Sequence, residues 1–451
     1  MEALKCAVVL LSFPFALGAF TPPNTAATRW TSNMVLCYMD SRSTPGPHFS
    51  PAYAWDEKKF SYLLASQSHP TDESSSKPID TLFDSFLFTC GEWYDGKSFW
   101  PGQGAVTNAS DWLDFLDMQI TLGAVNLEAA AAKVTQALAM SPSSGGLRPS
   151  IVLTIPTPDP RQDDFGIVPG LKRSLNFSLL EDRTAAVCWF VDQAYAQFAA
   201  RRFARVYLAG FYWYREAIVA GEEITIPALS AHIKSALDPS LFLTWIPYFQ
   251  TDPVQRKYLA SWRELGFDFV TLQPNFAFHN SSADERFAVV KELALNLSLG
   301  VELELPDYVR NPTVKNWQAS FNACVNACLF FFRAPLAQCA VPQCAVRTRR
   351  HDSGALPPFD ALCRRCVTCL TRARSLAHSH AHRRYVEHVD AWRLSGAIMR
   401  TYYYGNAFVH SFAANKSTFP FYKRLHAFVK GEADSGTVAL VGAEGGLRGY
   451  E

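Results

Sequence analysis

Beyond residue 19 the chain has no apolar run approaching the roughly 20 uninterrupted residues that a membrane-spanning helix requires, so nothing after that point is expected to hold it in a bilayer. Charge of one sign is also missing. The 42 basic residues stand against 41 acidic ones, without the basic excess that neutralises phosphates in nucleic-acid-binding proteins, and nucleic acid is excluded as the main partner. No glycine-rich phosphate loop follows any predicted strand, which argues against a nucleotide-binding doubly wound sheet. There is no G-x-S-x-G elbow for a serine hydrolase. There is no H-E-x-x-H or comparable ligand set outside residues 324–383 for a metallohydrolase. No cofactor and no metal site are expected.

What is present at the start is a secretory pattern. Lys5 supplies a positive region, Cys6 to Leu17 an apolar one, and Ala16-Leu17-Gly18 a small-residue cleavage site, so residues 1–19 are expected to be a signal peptide and the mature protein to be secreted. Sequons at Asn108, Asn176, Asn280, Asn296 and Asn415 fit that route and predict a glycoprotein. Aromatic residues make up 14% of the chain, and Trp93, Trp100, Trp213, Trp245 and Tyr402 to Tyr404 fall near predicted strand ends. Rings in such places stack on the apolar faces of sugars, or simply pack the core.

Strand-like and helix-like patterns alternate along the chain. Strands are predicted at Asn33–Asp40, Leu82–Cys90, Ile151–Pro156, Val206–Glu216, Leu241–Phe249, Phe267–Pro274, Leu299–Pro306 and Met399–Tyr404. Helices are predicted at Trp55–Ser66, Asp111–Met140, Ala186–Phe203, Pro227–Leu237, Asp252–Leu265 and Ala283–Leu297. Eight strands alternating with helices predict a (β/α)8 TIM-type barrel over residues 33–430, with active-site residues at the C-terminal strand ends. Residues 431–451 read as a flexible tail.

Two strands carry acids. Val206 to Glu216 (VYLAGFYWYRE) runs a buried-type strand into Glu216. Leu299 to Pro306 (LGVELELP) carries Glu302 and Glu304, which alternation places on one face, opposite Val301, Leu303 and Leu305. With GFYWYRE (210–216), WIPYF (245–249), GFDFVTLQPNFAF (266–278) and GVELELP (300–306), the chain resembles a mainly bacterial family known as domain of unknown function 4855, from about Val35 to Phe421. The resemblance implies a barrel-like domain of glycoside-hydrolase type, without an assigned reaction.

Retaining glycosidases hold an acid and a nucleophilic carboxylate about 5 to 5.5 Å apart, and in many barrel glycosidases these follow strands four and seven. By that analogy Glu216 is the acid/base candidate and Glu304 the nucleophile, with Glu302 one layer deeper as a structural carboxylate or the true nucleophile. Glu216 reads otherwise as a helix-start acid or a partner of Arg215. Trp213, Tyr214, Trp245, Tyr248, Gln273, Asn275 and Tyr403 are the candidate substrate-binding residues. Asp84 and Asp40 are further pocket candidates, and Glu92 with Asp95 a weaker carboxylate site. The expected activity is hydrolysis of a poly- or oligosaccharide with retention. The alternative is a barrel that binds carbohydrate without cleaving it.

Residues 324–383 break the pattern. They hold seven of the chain's eleven cysteines, nine arginines, His351, His378, His380 and His382, and no lysine. Cys363, Cys366 and Cys369 followed by the histidines read as a metal site, the cysteines together as a disulfide-rich insertion. The lack of any periodicity reads as a translated intron or gene-model error.

Overall fold

The computed structural model describes residues 25–29, 31–39, 54–68, 78–91, 93–140, 146–249, 251–273, 289–304 except 291 and 295, 400–403, 426 and 429. The proposed signal peptide, the tail and residues 324–383 lie outside this set. The elements are β1 (Asn33–Tyr38), α1 (Glu57–Leu64), β2 (Ala65–Gln67), β3 (Pro78–Thr81), β4 (Ser85–Thr89), α2 (Ala109–Met118), α3 (Val125–Ala137), β5 (Ser150–Ile155), α4 (Leu180–Arg201), β6 (Tyr207–Trp213), α5 (Glu222–His232), β7 (Phe242–Trp245), α6 (Pro253–Ala260), β8 (Phe269–Leu272), β9 (Gly300–Glu304) and β10 (Arg400–Tyr403).

The fold is α/β, built on a curled parallel sheet. Its strands pair in the ring order β1-β10-β9-β8-β7-β6-β5-β4, and β1 returns to pair with β4. β2 and β3 form a separate antiparallel ribbon, which the sequence pattern did not show. Strands in such a sheet are covered on both sides, which is why they read as short apolar runs. Met34, Leu36, Leu87, Val152, Ala209, Tyr212, Phe242, Ile246 and Phe269 form the core inside the ring. Val35, Phe88, Leu153, Phe211, Leu243, Val270 and Val301 belong to a second, larger core with helix residues such as Phe115, Ala130 and Phe190. Threonines also face the interior and satisfy themselves locally: Thr154 Oγ1 donates to Phe88 O at 2.6 Å and Thr244 Oγ1 to Phe269 O at 3.0 Å.

β6 departs from simple alternation. Its register against β5 jumps from Ile151–Leu208 to Val152–Gly210, leaving Ala209 unpaired. A β-bulge of this kind changes which residues face the interior. Leu208, Phe211 and Trp213 join the outer core, Ala209 and Tyr212 the inner one. Gly210 is required there, because a Cβ on it would lie 2.2 Å from the carbonyl oxygen of Phe242 on β7.

Three expectations change. Asp84 is not mid-strand: it precedes β4 at the N-terminal end of the sheet, where its carboxylate accepts from Ser32 N–H (3.0 Å) and Asn33 N–H (2.9 Å) and so fastens the start of β1. Pro227 lies inside α5 rather than at its start, since the helix begins directly after Gly221, whose φ of 91° ends the loop. The long helix predicted at 111–140 is two α-helices joined by a π-helical segment, Gln119–Ala124. Among the described residues no helix is long and apolar enough to cross a membrane, and Cys37, Cys90 and Cys188 are free thiols.

Candidate active site

β6 aims Tyr212, Tyr214 and Glu216, at two-residue spacing, toward the C-terminal mouth of the ring. The strand ends at Trp213, and the segment beyond it is fastened from three sides. Tyr248 N–H donates to Glu216 O (3.1 Å), Trp245 Nε1–H to Arg215 O (2.8 Å), and Gln255 brackets Ile218 by accepting its N–H (3.0 Å) and donating to its carbonyl (2.8 Å). The Glu216 carboxylate, half-buried, accepts one bond from Gln273 Nε2 at 2.8 Å. Burial pushes its pKa up, and the Gln273 bond opposes that rise without cancelling it.

Glu302 projects into the ring from β9 and is 2% exposed. Its residue pairs with Thr401 of β10, and Thr401 Oγ1 donates to Thr271 Oγ1 at 3.2 Å. The Tyr212 phenol brings the two acids into one environment: burial first, then the charges of Glu216 and Glu302, push its pKa well above the usual phenol value. Tyr212 therefore stays a neutral hydroxyl, and it donates to Tyr214 O at 3.3 Å. It went unnoticed in the sequence, although counting back in twos from Glu216 reaches it.

The same counting separates the adjacent candidates Trp213 and Tyr214. Tyr214 is half-buried beside Glu216 and donates its hydroxyl to Cys90 O at 2.7 Å. Trp213 is fully buried in the outer core, so its assignment to substrate is corrected. Trp245 is corrected likewise: it is 1% exposed and stacks on Phe267 at 5.4 Å between ring centres. Gln273 is not open to a sugar through its amide N–H groups, which donate to Glu216 and to Ile246 O (3.0 Å). Tyr248, half-buried, sits at the Glu216 loop and bridges to Gln273. Glu304 and Tyr403 end β9 and β10 and pair with each other. Their side chains, and all of Asn275, Asp40 and Glu92, lie outside the described residues. Asp95 is exposed.

A cleft of about 670 Å³ opens next to Glu216. Its walls are Tyr214 and the loop after β4, which contributes Gly91, Trp93, Lys97 and Trp100. Lys97 Nζ lies 2.9 Å from each carboxylate oxygen of Asp111, and Trp93 Nε1 donates to the same group. Sequence reasoning missed Lys97 because its loop has no periodicity, and Asp111 because it reads only as the first residue of a predicted helix. Among the described residues no group of three or more His, Cys, Asp or Glu side chains converges as a metal site.

Behind Glu216, Glu222 is 5% exposed, accepts Val219 N–H at 3.0 Å and lies 3.6 Å from Arg215. Burial pushes its pKa up to about 7 from 4.5, against the pull of Arg215 and Arg183. A carboxyl with a raised folded-state pKa favours the fold below about 4.5, and that contribution is lost as the pH climbs to about 7. Glu222→Gln keeps the acceptor for Val219 without the ionisation. Its stability relative to the parent is expected to rise by on the order of 3 kcal/mol between pH 4.5 and 7.5. Urea unfolding of both proteins at the two pH values checks this, and an unchanged difference would refute it.

Fold and site together define an α/β protein with a ringed parallel sheet and a half-buried acid beside a cleft at its C-terminal edge. The chain belongs to the domain of unknown function 4855 family, whose sequence model matches residues 33–329. No curated protein matches it. Among solved structures it is similar to the crystal structure of PbGH5A, a glycoside hydrolase family 5 enzyme from Prevotella bryantii B14. That alignment has 9% identity and a TM-score of 0.29, and covers 63% of this chain and 78% of that one. At that score the alignment carries no conclusion about fold or activity.

Proposed function

We propose that the protein is a secreted glycoside hydrolase with a complete (β/α)8 barrel over residues 33–430, acting on a poly- or oligosaccharide with retention of configuration. The observation that carries the reading is Glu216: a half-buried carboxyl with a raised pKa, fixed by Gln273, at the edge of a cleft. A general acid must hold its proton at the working pH, and burial shifts Glu216 in that direction. Glu216 protonates the glycosidic oxygen as the bond to the anomeric carbon breaks. A carboxylate of β9, Glu304 at the strand end with Glu302 beneath it, attacks that carbon. Glu216, now ionised, takes a proton from the water that releases the sugar. This chemistry calls for no cofactor.

The test is reducing-end release from a panel of polysaccharides by the secreted protein, with the anomer of the first product read by proton NMR. Release with retention is expected. Polysaccharide binding without release would replace this reading with the non-catalytic barrel. Gln273 gives a finer prediction. Its bond lowers the Glu216 pKa, so Gln273→Leu is expected to move the alkaline limb of the kcat/KM profile to higher pH. A limb that stays put would remove Gln273 from the control of the acid.

A further inference from the structure

The cleft beside Glu216 occupies a defined side of the ring. Its walls come from the loops after β4 and β6, the two neighbours of β5. In the ring order β5 lies directly opposite β9, so the strand that carries Glu302 and Glu304 is across the ring from the cleft that Glu216 lines. In a retaining mechanism the sugar that is attacked lies on the nucleophile's side of the acid, and the sugar that departs lies on the other.

Trp100 is the ring offered on that other side. Trp55, Trp93, Trp112, Trp245 and Trp262 donate their indole N–H to protein acceptors, and the unpartnered indoles of Trp189 and Trp213 are buried in the core, away from the cleft. The indole N–H of Trp100 has no partner among the described residues. Its ring is half-buried in the cleft wall, 5.5 Å from Tyr214 at 79°, so the two make a corner with one face and one edge. The backbone beneath it is already ordered. Trp100 N–H donates to Ser98 Oγ (3.0 Å), Gly102 N–H to Asp159 (3.2 Å), and Arg161 to Gly104 O (3.0 Å). A fixed ring with a free donor meets a pyranose through its C–H face and a hydroxyl at little ordering cost. Lys97 is held by both oxygens of Asp111, and among the described residues lining this wall there is no uncompensated cation for an acidic sugar.

From this arrangement we infer that Trp100 and Tyr214 form the binding site for the leaving-group sugar, and that this sugar is neutral. The inference rests on the reading of Glu216 as the general acid. Its test measures the affinity of full-length Glu216→Gln for cellohexaose, maltohexaose, laminarihexaose, mannohexaose and hexagalacturonate by calorimetry. At least one neutral hexamer is expected to bind. Adding Trp100→Ala is expected to weaken it at least tenfold, and Trp100→Phe, which keeps a ring, by less. Binding unchanged by Trp100→Ala, preference for hexagalacturonate, or no neutral hexamer bound would each overturn the site. In the parent protein, transfer to an added disaccharide acceptor should fall with Trp100→Ala; hydrolysis reduced with transfer intact would overturn the leaving-group assignment. Trp100-dependent binding by a parent that hydrolyses nothing would support the neutral-sugar site and overturn only the acid role of Glu216.

Discussion

Glu216→Gln is expected to lower kcat/KM on the natural polysaccharide by about 10²- to 10⁴-fold, the usual contribution of a general acid. The loss should depend on the leaving group. A sugar leaving as an alkoxide needs the proton, whereas a dinitrophenolate does not, so an activated aryl glycoside should retain most of its glycosylation rate. The variant should fold, because glutamine can still accept the bond that Gln273 Nε2 makes to Glu216 Oε1. Equal losses on both substrates would mean that Glu216 acts otherwise than as the acid. No loss would remove it from the mechanism.

The second large effect concerns the bulge that orients Glu216. Gly210→Ala places a Cβ 2.2 Å from Phe242 O and 2.5 Å from its ring, and two paired strands cannot separate by that much without losing ladder bonds. Overpacking of this kind costs about 3 kcal/mol, which lowers Tm by roughly 3 to 4 °C in a domain of about 400 residues. Activity should fall as well, since Tyr212, Tyr214 and the Glu216 loop follow from the register set at Gly210. Calorimetry and the hydrolysis assay read the two effects, and a Tm within about 1 °C of the parent would show that the bulge has another origin.

Much of the ring was legible because its strands are short, apolar and flanked by helices, and strands buried on both faces leave that signature. Glu216 was legible for the same reason: a carboxylate directly after such a strand stands out. What alternation alone could not fix was the facing of neighbours. Trp213 and Tyr214 both look like sugar-binding rings, yet adjacent residues on a strand face opposite ways, and only the inner-face residue sits at the cleft. Asp84 was misread, and the bond from Gln273 to Glu216 went unseen, because their partners, the start of β1 and Glu216, are far away in sequence. The cleft wall around Trp100 comes from a loop whose shape is set by Asp111, Asp159 and Arg161 rather than by any repeating pattern.

The most direct test of the two-carboxylate reading is to trap its covalent intermediate. The parent protein would be treated with the 2-deoxy-2-fluoro glycosyl fluoride of whichever sugar the panel shows to be released, then digested and mapped by mass spectrometry. The reading predicts one added fluorosugar on the peptide bearing Glu302 and Glu304, and none on the peptide bearing Glu216. A label on Glu216, or a protein that hydrolyses the glycan yet takes up no label, would contradict it.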